Sequence, residues 1–376
     1  MSADRALVGI SLEAADERTF DGVTLHVPAL VPWGASGSIA LKDDKSAAGQ
    51  TTFSLRYTPR DPVVVPIAQG RLQLRFGCVQ KVEIGMASLL ETGSIRVHLD
   101  EAQPFSHVVS DYVDPLLSFV SFAIGQPAML AGLEVMSPRD MMTLPSGKAY
   151  PRPIEVLFRP TGRPLDGSNR MLPNALFRLA DVESGITHVL RRWLELQPDI
   201  DLAMGYLTSN RGERPGLLEH GFLSALLGVE SLHRSGVIDE PDSSRHQAKV
   251  NAILAAVEAG CPEHTKWVKG RVKRRDEPGL EQRLRELLKS FPQVAALVRD
   301  QRSFVERVVN TRAFLAHGLR RGPVLLDDRL QLLKAVYLLE MLIEDQLLTR
   351  LSDATGDLAE GVTRTQRYAL LKAEPL

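Results

Sequence analysis

Apolar and polar residues alternate in short runs through about the first 160 positions, the spacing of half-buried strands. The runs at Phe20 to Leu30, Thr51 to Tyr57, Val63 to Ile67, Arg71 to Phe76 and Ser94 to Leu99 each predict a strand. Ile95, Val97 and Leu99 fall on one face of the last of these. Gly34 to Gln50, rich in Gly, Ser, Ala and Lys, predicts a mobile surface loop. Two further loops, Ser137 to Arg152 and Pro160 to Asn169, flank a strand at Ile154 to Phe158. From about Met171 the period becomes helical. Leu217 to Arg234 and Arg245 to Glu258 predict helices, as do Leu280 to Phe291 and Gln293 to His317, with Pro292 fitting the first position of the latter. Asp327 to Leu351 predicts a last helix with a broad apolar surface. The pattern is α+β: a β-rich domain over 1–165 followed by an all-α helical bundle over 171–376.

Composition adds bounds rather than identity. The chain of 376 residues is 44% hydrophobic and 24% charged, typical of folded protein, and long enough for two cores. A formal net charge of -1 means that contact with nucleic acid must come from a local patch. Cys78 and Cys261 stand far apart, which implies neither a disulfide framework nor a cysteine zinc site. Pro115 to Leu133 holds no charged residue, yet it divides at Gly125-Gln126-Pro127 and predicts a helix, Leu116 to Ile124, and a buried strand, Ala128 to Val135. Met1 to Ile10 includes Asp4 and does not read as a secretory signal, so the expectation is a cytoplasmic protein without a membrane span.

Candidate chemistry is concentrated in Arg312-Ala313-Phe314-Leu315-Ala316-His317-Gly318, with Gly318 placed to stop the helix. A chain of this composition holds about 0.8 such Arg/His pairs by chance, so the spacing alone has little specificity. On an ideal helix the two side chains lie roughly 140° apart. Either a long arginine reaches round the helix, or the two groups converge on a cleft shared with a second subunit, and the second arrangement predicts a dimer. There is no phosphate-cradling Gly-rich loop, no His-Glu-x-x-His metal motif and no Gly-x-Ser-x-Gly elbow. Lys266, Lys269, Arg271, Lys273, Arg274 and Arg275 surround Trp267. That run fits a solvated helix face, or an RNA-binding track on which the indole stacks against a base.

The segment "VVNTRAFLAHG" resembles the Arg-x4-His signature of HEPN ribonucleases and, more narrowly, of the ApeA-like group associated with bacterial defence against phage. "FLSALLGVESLHR" resembles the first-helix signature of that group, with Glu230 and Arg234 matching much of its Glu-x3-Lys/Arg pattern. The first half, ending in "DPLLSFVSFAIGQPAML", is similar to the N-terminal domain usually fused to it. The resemblance implies metal-independent, cofactor-free cleavage, in which the RNA 2′-hydroxyl attacks the adjacent phosphorus and leaves a cyclic phosphate and a 5′-hydroxyl. It makes His317 a general base or acid and Arg312 the stabiliser of the phosphorane-like transition state. Glu230 and Arg234, four apart, either form a salt bridge or position Arg312 or a phosphate. The further expectations are an RNA substrate, a homodimer and an unidentified trigger acting on the N-terminal domain. Where the group usually carries a polar residue after the arginine, this chain has Ala313. That departure favours the alternative, a catalytically silent HEPN protein that binds RNA or a partner as a dimer.

Overall fold

The computed structural model describes residues 5–34, 38–45, 51–143, 145, 147, 149–159, 172–212, 217–236, 243–272, 278–320, 322–352 and 358–376. The expected order is present, strands first and helices after. The strands are β1 (Arg5–Leu7), β2 (Phe20–His26), β3 (Ile39–Lys45), β4 (Thr51–Tyr57), β5 (Val63–Ile67), β6 (Gly70–Glu83), β7 (Met86–Gln103), β8 (Gly132–Met136), β9 (Met141–Thr143), β10 (Ala149–Pro151) and β11 (Ile154–Phe158). Seven of them form one sheet in the order β1-β11-β8-β2-β7-β6-β5, while β3 pairs with β4 and β9 with β10. Chain contacts divide the molecule into two compact units, Met1–Gly216 with Glu344–Ala373, and Leu217–Ile343 with Glu374–Leu376.

In the first unit, period-2 alternation does what it predicts. Val23, Leu25, Leu72, Leu74, Ile95, Val97, Leu133 and Val135 are buried on one face of the sheet, while the intervening residues face away. An aromatic cluster closes the core. Phe122 stacks on Trp193 at 5.2 Å between centroids, Phe119 meets Trp193 edge-on at 5.6 Å, and Trp33 meets Phe119 edge-on at 6.0 Å. Each buried indole N–H finds a carbonyl, Trp33 on Phe177 and Trp193 on Pro115, both at 2.9 Å. The helix Ile186–Asn210, which carries Trp193, therefore packs within the β-rich unit. The helix Asp114–Ile124 ends at Gly125, with φ 69°. A Cβ there would run into the Asn174 carbonyl as well as force a left-handed alanine. Gly125→Ala is expected to cost about 1–3 kcal/mol, read as a lower urea midpoint at unchanged slope.

The same unit holds a buried ion triad. Glu344, fully buried near the end of the helix Arg329–Ser352, accepts from Arg211 at 2.7 Å and from Arg367 at 2.8 Å. Among the described residues, no helix is long and apolar enough to cross a membrane.

The second unit is helical. Its elements relevant to the site are Leu218–Gly236, Leu280–Ser290 and Gln301–His317. Here the structure corrects the expected helix over Gln293 to His317. A short helix, Pro292–Ala295, stops first, and a new one starts behind Asp300, whose carboxylate caps the Ser303 N–H at 3.0 Å. A second correction lies in the first unit, where Gly34 to Gln50 is not all loop. Ile39–Lys45 pairs along its whole length with Thr51–Tyr57, because it has a strand partner close in sequence. The expected strand at Ala128 to Val135 begins only at Gly132, and the expected loop over Ser137 to Arg152 contains the short β9–β10 hairpin. The loop expected at Pro160 to Asn169 lies outside the described residues.

Candidate active site

Two helices of the second unit make the site. The Glu230 side chain, on Leu218–Gly236, is only 12% exposed, and its Oε1 lies 3.3 Å from Arg312 Nε on Gln301–His317. This is an ion pair without a directed hydrogen bond, since Oε1 has no hydrogen-bond partner among the described residues. Arg312 is 38% exposed, so the contact tethers the guanidinium through Nε while keeping it at the surface. Its two terminal nitrogens, the forked end that fits a phosphate, have no partner among the described residues.

His317 is the last residue of the same helix and is exposed. Gly318, at φ 67°, ends the helix, and its N–H reaches the Phe314 carbonyl at 2.7 Å. The chain can therefore turn away directly behind the imidazole. Among the described residues the His317 side chain makes no hydrogen bond or ion pair. The structure thus joins Arg312 to Glu230 and leaves His317 outside that contact, on a side of the helix roughly 140° away. Arg234 is exposed one turn beyond Glu230.

The position of the Arg312 helix is fixed from its inner side. Thr311, fully buried, donates to the Arg307 carbonyl at 2.7 Å and accepts from the Leu325 N–H at 2.8 Å, which pins the chain beyond the helix against it. One further residue was missed by motif reasoning. Arg283 is 4% exposed, with Nε on the Pro278 carbonyl at 2.7 Å and Nη1 on the Glu230 carbonyl at 3.4 Å. It therefore braces the backbone that presents Glu230. Its signal is present in "LEQRLRELL", where an arginine occupies a position of the stripe formed by Leu280, Leu284 and Leu287. His233 and Glu286, 3.1 Å apart, tie the same two helices together one turn further on.

Of the expected RNA-binding run, Lys266, Trp267 and Lys269 are exposed on the helix Thr265–Val272, the tryptophan at 66%. Arg271 falls on that helix with its side chain outside the described residues, and Lys273, Arg274 and Arg275 lie outside them altogether. No group of three His, Cys, Asp or Glu among the described residues is placed to hold a metal ion.

Residues 223–353 match the Apea-like HEPN family, and residues 1–193, over half of the chain, match ApeA N-terminal domain 1. The chain is an ApeA-like HEPN protein. No curated protein and no solved structure matches it. HEPN domains are generally ribonucleases and commonly dimerise. In this ApeA-like HEPN protein Glu230, Arg283, Arg312 and His317 all fall within the matched HEPN span, so the ion pair and the exposed histidine belong to the part of the chain that defines the family.

Proposed function

We propose that this ApeA-like HEPN protein is a cytoplasmic, metal-independent endoribonuclease that acts in antiviral defence by abortive infection and works as a homodimer. The observation that carries the reading is Arg312, held through Nε by a nearly buried carboxylate with its two terminal nitrogens in no contact among the described residues, on the helix that ends in an exposed histidine. In this mechanism His317 takes the proton of the RNA 2′-hydroxyl or delivers one to the leaving 5′-oxygen. The 2′-oxygen bonds to phosphorus as the bond to the 5′-oxygen breaks, giving a 2′,3′-cyclic phosphate and a 5′-hydroxyl. Arg312 balances the charge that builds on the non-bridging oxygens. Glu230 positions Arg312, and Arg234 extends the polar rim. Lys266, Trp267, Lys269, Arg271, Lys273, Arg274 and Arg275 guide the strand. Because Arg312 and His317 diverge on one helix, a second copy supplying the complementary group across a shared cleft completes the site.

The test is cleavage of total cellular RNA by the purified protein in EDTA, with chemical analysis of the product ends. Cyclic-phosphate and 5′-hydroxyl ends are the expected result. A dimeric, folded protein that binds RNA without cutting it would replace this reading with the silent binding module. Ala313, an apolar residue directly after the arginine, is the observation favouring that second reading.

A further inference from the structure

The seven-stranded sheet buries one face and leaves the other polar, and the register shows what that polar face presents. Arg71 on β6 lies opposite His98 on β7, Gln73 lies opposite Arg96, and Arg75 lies opposite Ser94. One strand further in, Thr24 and His26 of β2 stand beside Arg96 and Ser94. Directly opposed residues of antiparallel strands point to the same side, so three arginines and His98 share one surface.

The three arginines differ in what holds them. Arg96 is anchored, with Nε on the Thr24 hydroxyl at 3.1 Å and Nη1 on the Tyr150 hydroxyl at 2.9 Å. Arg71 and Arg75 are exposed and have no partner among the described residues. Burial, and then Arg71, Arg96 and Arg75 in that order, hold the His98 imidazole below its ordinary range, so the neighbouring charges acting on it are all positive. Of the carboxylates on this face, Glu134 lies 3.5 Å from His26, Glu155 stands opposite it one strand further out, and Asp100 follows two residues after His98. None of them meets Arg71 or Arg75 in an ion pair among the described residues.

We infer that this face, centred on Arg71, Arg75, Arg96 and His98, binds a single strand of RNA. Like charges gathered on a sheet, with two of the arginines in no ion pair among the described residues, are complementary to a polyanion. Arg71 and Arg75 are four residues apart on one strand, about 13 Å, too far for one phosphate to bridge and suited to two non-adjacent phosphates along a strand. The His98 imidazole, held below its ordinary range, and the Gln73 amide between the arginines can stack on or hydrogen-bond to the bases between the phosphates. The choice of RNA rests on the ribonuclease reading, whereas the binding face rests on the residues themselves.

The experiment therefore reads binding without cleavage, using the full chain carrying His317→Ala and a fluorescein-labelled single-stranded 12-mer RNA of mixed sequence. Anisotropy titrations across a range of salt concentrations are compared with and without Arg71→Glu and Arg75→Glu together. Loss of two phosphate contacts is expected to weaken binding at least tenfold, and to reduce the slope of log affinity against log salt by about 1.4. Ultraviolet cross-links are expected in peptides from β6 and β7. If the charge reversal lowers the melting temperature, Arg71→Gln with Arg75→Gln is read in its place. Unchanged affinity and slope in the double variant, absence of RNA binding by the parent, or equal displacement of the RNA by polyglutamate would each overturn the inference. Failure of the ribonuclease reading would show instead in the product ends of the cleavage assay, leaving this binding result intact.

Discussion

His317→Ala is expected to reduce cleavage of RNA in EDTA by about 10²–10⁴-fold, the usual contribution of a positioned general acid or base. Arg312→Ala is expected to lose about 10²–10³-fold, since it removes charge stabilisation that matters most in the transition state. Neither residue is part of the packed core. His317 is exposed, so His317→Ala is expected to melt near the parent temperature, whereas Arg312→Ala takes the cation from beside the nearly buried Glu230 carboxylate and is expected to melt lower. Arg312→Lys separates two roles that the alanine variant merges. A lysine keeps a charge but loses the fork, and it cannot hold Glu230 through a side nitrogen while presenting two further donors to a phosphate. It should therefore bind RNA nearly as well as the parent and cleave it far more slowly. Glu230→Gln is the complementary change, preserving shape while removing the tether. If Glu230 only packs, cleavage survives at the parent rate; if it positions Arg312, the rate of the chemical step falls about tenfold while RNA affinity holds. Retention of cyclic-phosphate production by both His317→Ala and Arg312→Ala would refute the assignment of chemistry to this helix.

What could be read in the chain follows from how local each feature is. Val63–Ile67 and Ile154–Phe158 were legible to the residue, because burial on one face imposes a period of two that the sequence must carry; Thr51–Tyr57 was legible from its alternation and β-forming residues, although Phe53 and Leu55 are exposed. The outer half of the β6–β7 hairpin was not, because it has no buried face. Val79, Val82, Ile84 and Leu90 are all exposed there, and nothing enforces alternation. Ile39–Lys45 was hidden for a related reason. Gly, Ser and Lys around it signal a loop, and its strand character depends on pairing with β4. The break before Asp300 was obscured by the apolar residues of the preceding segment, although an Asp three residues ahead of Ser303 is itself a capping signal. At the candidate site, Arg312 and His317 were visible through their spacing and the family resemblance. The partnership between Arg312 and Glu230 joins helices some eighty positions apart, and no local rule specifies it. Arg283 was visible only as an oddity, a charge in an apolar stripe, whose purpose depends on which backbone carbonyl packs against it.

Glu344→Ala is expected to destabilise the first unit by about 3–5 kcal/mol, because it removes the carboxylate that two nearly buried guanidiniums contact. Arg211 and Arg367 are only 10% and 8% exposed, so water cannot readily take over the solvation of either charge. The sign of the pH dependence follows from the same triad. Burial raises the affinity of Glu344 for a proton, but attraction from Arg211 and Arg367, with the hydrogen bonds from both, outweighs it, and the carboxyl is held below the ordinary range. A carboxyl whose folded-state pKa is depressed contributes stability that is fully present above its unfolded value, near 4.5, and lost as the pH falls through the folded value below it. Thermal melts from pH 7 down to pH 3 should therefore show the parent losing stability more steeply at the acid end than Glu344→Gln, so that the two curves converge. Parallel curves would mean that the triad does not govern the acid response. The position of Glu344 also decides which substitution is tolerated. Replacing Glu344, Arg211 and Arg367 together with apolar residues of similar volume should restore most of the stability that Glu344→Ala alone removes. The cost lies in removing the carboxylate from beside two charges in a packed interior, and the triple change takes those charges away with it.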